Sequence, residues 1–136
     1  MTAGYSGTSL IKKLGINPGF RVALLNPPPG YHALLEELPA DVTTLDTLDG
    51  VFDLIQFFTS EQAALAEHFP ALKKALKPAG MLWVSWPKKA AKLPTDLNEN
   101  IIRDIGLQNG LVDVKVIAVD EKWSGLKFVY RVKDRK

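Results

Sequence analysis

The sequence contains no cysteine. That absence excludes disulfides, thiolate metal sites and a cysteine nucleophile. No apolar run is long enough to cross a bilayer, and no basic segment followed by an apolar one opens the chain. The expectation is therefore a cytoplasmic protein with no membrane partner. Histidine occurs twice, at His32 and His68, without the spacing of a ligand pair, so no metal site is expected. A phosphate-binding G-x-x-x-x-G-K-[ST] run is missing as well. The net charge is only +2, and much of the positive excess sits in Lys88, Lys89, Lys92 and the terminal Lys133, Arg135 and Lys136. Two short clusters fall short of the broad basic surface that nucleic acid demands, so nucleic acid is not an expected partner. The terminal cluster reads as solvated cations.

What is present is an ordinary globular composition. Of 136 residues, 46% are hydrophobic and 24% charged, enough to close one core, so one domain over 1–136 is expected. Thr8 is placed to cap a short helix over 8–14 that Gly15 ends. After the Asn17-Pro18-Gly19 turn, 21–25 reads as a buried strand. Helical spacing resumes over 30–38 and stops at Pro39. A second strand over 42–46 leads to a turn at Asp49-Gly50.

Residues 52–58 are almost wholly apolar, as in a central strand covered on both faces. Thr59 and Gln62 form a capping box for a helix carrying Leu65, Phe69, Leu72 and Leu76 on one face, which Pro70 should kink or divide and Gly80 should end. A strand over 81–86 follows, closed by Pro87. A helix capped by Asp96, with Glu99 as its third residue, carries Leu97, Ile101, Ile102 and Ile105 and ends at Gly110. Two alternating strands, 112–119 and 126–132, close the chain, with a turn expected around Trp123-Ser124-Gly125. Helices alternating with apolar strands imply an α/β fold. The expected form is Rossmann-like, a mostly parallel sheet with helices on both faces and an antiparallel C-terminal hairpin.

Several segments carry a resemblance. The run Leu14-Gly15-Ile16-Asn17-Pro18-Gly19-Phe20-Arg21 and the strand after it resemble the approach to the first strand of S-adenosylmethionine-dependent methyltransferases. Phe52-Asp53-Leu54-Ile55 is similar to their fourth strand, and Leu76-Lys77-Pro78-Ala79-Gly80 to the leader into their fifth. The closing hairpin is similar to their sixth and seventh. One strand–helix unit, the third, is reduced. The whole chain also resembles a family of short, uncharacterised bacterial proteins carrying Gly4-Tyr5-Ser6-Gly7-Thr8, Trp86-Pro87-Lys88-Lys89 and Trp123-Ser124-Gly125-Leu126-Lys127. That resemblance implies a methyltransferase-like fold and no particular reaction.

In the methyltransferase pattern the first strand reaches an acidic residue and a G-x-G-x-G turn. Here the acidic position falls on Leu24, and the glycine positions fall on Asn26, Pro28 and Gly30. Pro27, Pro28 and Pro29 fix φ and carry no N–H donor, so the ordinary cofactor mode is not expected and no cofactor is assigned. Gly30 survives, and Asp46 stands where the resemblance implies an acid for ribose hydroxyls. Those two residues keep open the alternative of an S-adenosylmethionine-dependent enzyme with a non-standard site. Asp46 also reads simply as the start of a polar turn.

Ligands of such sheets bind outside the carboxyl ends of the parallel strands. That edge should collect Asn26, Tyr31, His32, Trp86, Lys88, Lys89, Trp123 and Ser124. Aromatic faces beside ammonium groups suit a small anionic, planar ligand or an acidic protein partner. The plainer reading is that both tryptophans pack over helix ends and the lysines are solvated. No catalytic residue is assigned; His32 is the one histidine placed for general acid–base chemistry. Gly4-Tyr5-Ser6-Gly7 precedes a helix and is no nucleophile elbow; it reads as an arm able to fold over the crevice.

Overall fold

The computed structural model describes residues 9–35 and 37–135. Thr8 and the arm expected over residues 4–7 lie outside them. Among the described residues four α-helices, α1 (Leu10–Leu14), α2 (Tyr31–Leu35), α3 (Gln62–Lys74) and α4 (Glu99–Gln108), flank six strands. The strands are β1 (Arg21–Leu25), β2 (Thr43–Leu45), β3 (Phe52–Phe58), β4 (Leu76–Pro87), β5 (Leu111–Ala118) and β6 (Trp123–Tyr130). They form one sheet in the order β2-β1-β3-β4-β6-β5. The first four are parallel, and β6 runs antiparallel to both β4 and β5. This is the expected α/β architecture with its closing hairpin. The reduced unit is visible as well: β2 passes to β3 through residues 46–51, with no helix between them.

Each face of the sheet buries its own cluster. On one side α3 and α4 bring Leu65, Phe69, Leu72, Ile102 and Ile105 against Ile55, Val84, Leu126 and Phe128. On the other, α1 and α2 bring Leu10, Leu14, Tyr31 and Leu35 against Leu24, Leu54, Phe58 and Trp83. Successive strand residues alternate between these clusters, as the pleat requires. Trp83 is fully buried and its indole N–H donates to the carbonyl of Leu14 at 2.9 Å, which fastens α1 to the sheet. Gly106 lets α4 lie close: a Cβ there would come within 2.0 Å of the Phe128 ring.

Several local expectations are corrected. The N-cap of α1 is Ser9, whose hydroxyl accepts from Lys12 N at 3.3 Å. The second helix is a single turn, Tyr31–Leu35. Pro70 does not divide α3, which runs unbroken through it. The Thr59–Gln62 capping box does not form. Thr59 instead accepts from Glu61 N, and Gln62 N donates to Asp96 Oδ1 at 2.7 Å. Asp96 therefore serves the positive end of α3, and Asn98 caps α4 by accepting from Ile101 N at 2.9 Å. Helix α3 ends at Ala75, while Gly80 lies within β4, where a Cβ would stand 3.0 Å from two backbone carbonyls.

The hairpin turn also moves. Asp120 Oδ1 accepts from Lys122 N and Trp123 N at 2.7 and 2.8 Å, closing the reversal before Trp123. Trp123, Ser124 and Gly125 are consequently strand residues, paired with Pro87, Trp86 and Ser85.

Replacing glycine by alanine inside an exposed helix ordinarily stabilises by about 0.5–1 kcal/mol. Gly106→Ala is expected to reverse that sign and destabilise by about 1–3 kcal/mol, because Phe128 must shift. Urea unfolding measures it; a stabilised variant would contradict the close α4 packing.

Candidate functional site

The carboxyl ends of β1, β3 and β4 meet the start of β6 along one edge. Asn26 Nδ2 lies 3.5 Å from the Phe58 carbonyl, Thr59 N donates to Ser85 O at 3.0 Å, and Lys88 N donates to Lys122 O at 2.8 Å. Residues 26–32, 59–60, 85–89 and 120–125 thus meet at this edge. The sheet nevertheless divides their side chains. Ser85 faces α2, so Trp86 faces α3 and α4, where it joins the core with Leu97 at 7% exposure. Trp86 is thus separated from Tyr31 and Trp123, which belong to the opposite face.

On that opposite face three rings form a series. Tyr31 meets Phe58 edge-on with centroids 4.8 Å apart, and Phe58 meets Trp123 edge-on at 5.3 Å. Such geometry is the favoured one for aromatic pairs. Tyr31 is only 2% exposed. Its hydroxyl donates to Gln56 Oε1 at 2.5 Å, and Gln56 Nε2 donates to Ser85 Oγ at 3.0 Å. Gln56 and Ser85 are the buried polar residues of the described core, and this chain satisfies them. Burial pushes the Tyr31 hydroxyl strongly upward; the Gln56 bond offsets this in part, and the charge of Asp120 adds to it. Tyr31 is thus a core residue beneath the carboxyl edge, with its polar end engaged internally.

The rim is what remains open. Trp123, Ser124 and Lys88 are half-buried, while Lys89 and Lys122 are exposed. At the other end of the edge, His32, Thr44, Leu45 and Asp46 line an open cleft of about 390 Å³. The expected residues therefore separate into a cationic rim beside Trp123 and a His32–Asp46 cleft beside β2. Among the described residues no group of three histidines or carboxylates could hold a metal ion.

The turn between β1 and α2 decides how a nucleoside cofactor could be held. Asn26 and Gly30 both take left-handed backbone, with φ of 57° and 81°. Asparagine tolerates that region better than most residues, so the bend of a glycine turn persists without its first glycine. Its donors do not. Pro27, Pro28 and Pro29 have no N–H, and Tyr31 N donates to Pro28 O at 3.1 Å. The turn does not fit a mode in which backbone amides grip the ligand. Asp46, in the cleft beside β2, is an acid able to accept from a sugar hydroxyl.

Sequence reasoning assigned no role to Gln56, Ser85 or Asp120. A signal existed for the first: one amide within the apolar run 52–58 needs a partner if the strand is buried on both faces. Ser85 offered no comparable signal.

No family model matches the sequence, and no curated protein does. Solved structures do match the fold. A ribosomal protein L11 methylase from Lactobacillus delbrueckii subsp. bulgaricus superposes with a TM-score of 0.59 at 17% identity, over 90% of this chain and 75% of that one. Magnesium protoporphyrin IX methyltransferase from Synechocystis PCC 6803, with bound SAH, gives 0.57 at 14% identity, over 89% and 78%. A SAM-dependent methyltransferase from Aquifex aeolicus gives 0.62 at 15% identity, over 88% and 86%. The fold is methyltransferase-like.

Because Tyr31 stays neutral when folded but ionises near 10.0 when unfolded, its contribution is present below pH 10 and lost above it. Stability should then fall by about 1.4 kcal/mol per pH unit on its account. Tyr31→Phe is expected to remove that part of the slope. At neutral pH it should cost about 1–2 kcal/mol, by leaving Gln56 Oε1 without a donor. Guanidinium unfolding of both proteins from pH 7 to 11 checks the two effects; parallel curves would refute the first.

Proposed function

We propose that the chain is a methyltransferase-like domain that catalyses no methyl transfer and binds a small anionic ligand at the carboxyl edge of its sheet. The observation that carries this reading is the Asn26–Gly30 turn, which keeps a glycine-like bend at both ends while three prolines withdraw the amide donors between them. An anion is supported at the opposite end of the edge. The Lys88–Lys122 backbone bond joins the two segments that carry Lys88, Lys89 and Lys122, next to the half-buried Trp123. An indole surface beside ammonium groups suits a flat anion, whose charge the lysines compensate while its ring displaces water from Trp123.

One observation favours a second reading, a methyltransferase with a non-standard cofactor site: Asp46 and His32 share an open cleft beside β2. Asp46 would accept from ribose hydroxyls there, and His32 would line the same wall. The two readings differ in which end of the edge is occupied.

Calorimetry with S-adenosylmethionine and S-adenosylhomocysteine separates them. The expected outcome is no heat of binding at micromolar ligand. Micromolar affinity weakened by Asp46→Ala would overturn the non-catalytic reading. A flat organic anion, 1-anilinonaphthalene-8-sulfonate, is expected to quench the emission of Trp123, assigned by its loss in Trp123→Phe. Lys88→Glu should reduce that affinity tenfold or more with the thermal transition unchanged.

A further inference from the structure

The α1/α2 face of the sheet extends beyond α1 onto the β5–β6 hairpin. Trp83 on β4 stands opposite Lys127 on β6, and Lys127 stands opposite Lys115 on β5. All three belong to one row on one face. Trp83 lies under α1, to which its indole is bonded. Lys127 and Lys115, one and two strands further out, are half-buried and exposed. Helix α4 packs on the other side of the hairpin, with Gly106 against Phe128. The pleat sets the half-buried pair Val112 and Val129 on one side of the lysine row and Ile117 on the other. The surface is thus a patch of aliphatic side chains around two adjacent ammonium groups.

Like charges directly opposite one another weaken a sheet. Partial burial lowers the pKa of Lys127, and the charge of Lys115 lowers it further. The three ion pairs among the described residues involve neither lysine. Of the hairpin's own acids, Asp113 is bonded to Arg103, Asp120 accepts from two turn amides, and Glu121 is exposed in the turn, six residues before Lys127. Residues 1–8 contain no carboxylate side chain. Lys115, on an edge strand, is also an ordinary guard against edge-to-edge pairing. Lys127 is not, because β6 is paired on both sides.

We propose that this face of the β5–β6 hairpin docks a short acidic segment of a protein partner, with carboxylates against Lys115 and Lys127 and apolar side chains on Val112, Val129 and Ile117. The charge complementarity and the aliphatic surround carry the choice of occupant. Two lysines make too narrow a basic surface for a nucleic acid backbone. The site lies roughly 13 Å along β6 from the Trp123 rim, four residues at 3.3 Å each, and it does not depend on the carboxyl-edge reading.

The probe is a fluorescein-labelled octapeptide of alternating glutamate and valine, followed by anisotropy at low salt. The full chain should bind it saturably, and Lys115→Gln/Lys127→Gln should weaken binding at least tenfold. Lys74→Gln, on α3, should change nothing. Amide ¹H–¹⁵N shifts should map the peptide to Val112, Lys115, Lys127 and Val129. Absence of binding, or binding that survives the double substitution, overturns the proposal. So does loss of binding in Lys88→Glu alone, which would move the peptide to the carboxyl edge, or tighter binding of a single-stranded oligonucleotide through the same two lysines. A ligand-free test guards the premise: Lys115→Glu should raise the thermal midpoint by about 1–3 °C. A lowered midpoint would show that the pair is not repulsive.

Discussion

The carboxamide of Gln56 joins three elements beneath the carboxyl edge, accepting from Tyr31 on α2 and donating to Ser85 on β4. A buried amide costs free energy unless both its ends are satisfied. That requirement sets where Tyr31 must stand, and hence where α2 begins. The chain has only the residues from Asn26 to Gly30 in which to leave β1 and reach that point. It manages the reversal with left-handed backbone at both ends, and three prolines hold the path between them. The rigidity of this turn and its poverty in donors have one origin. The same prolines that aim Tyr31 at Gln56 remove the amides that would grip a nucleoside ligand.

The bond to Ser85 has a second consequence. Once Ser85 faces α2, the pleat turns Trp86 to the other side, into the α3/α4 core. The aromatic left at the edge is Trp123, half-buried against Phe58 and flanked by the Lys88–Lys122 backbone bond. A crevice imagined with two tryptophans contains one. Beneath it lie the buried rings of Tyr31 and Phe58, and the nearby charge comes from lysines on two adjacent segments. What the edge offers a ligand is an indole surface and cations.

Much of the fold was legible in the sequence, because apolar runs and helical spacing report burial directly. The strand over 52–58 and the closing hairpin could be read from pattern, and the reduced strand–helix unit followed from the resemblance. Local caps could not. Asp96 caps α3 across 34 residues of sequence and Thr59 bonds within its own turn, so the local spacing S/T-x-x-Q pointed to the wrong partner. The turn near Trp123 was misplaced because Gly125 reads as a turn residue. It is a glycine for packing reasons: a Cβ there would meet Trp83 and Val119 at 3.3 Å. At the candidate site, the meeting of the strand ends at one edge followed from topology alone. The division of their side chains between two faces followed from register, which no single strand announces.

The reduced unit matters more for function than its size suggests. Parallel strands are usually joined by a dozen or more residues carrying a helix, yet residues 46–51 suffice between β2 and β3. The span allows it: the chain crosses two strand spacings and runs back about three residues, roughly 14 Å in all, within the reach of six extended residues. Arg21 donates to the Asp49 carbonyl and stacks over Phe52 with 4.9 Å to its ring centre, which holds the link down. Leu45 and Leu48 cover the face that a helix would otherwise cover. This economy leaves β2 as a three-residue edge strand, and the His32–Asp46 cleft is bounded by little beyond that strand and one helical turn. The Trp123 rim is framed instead by two long paired strands, β4 and β6. On the proposed reading, preorganisation favours the better-framed end, since a ligand there would order less of the protein on binding.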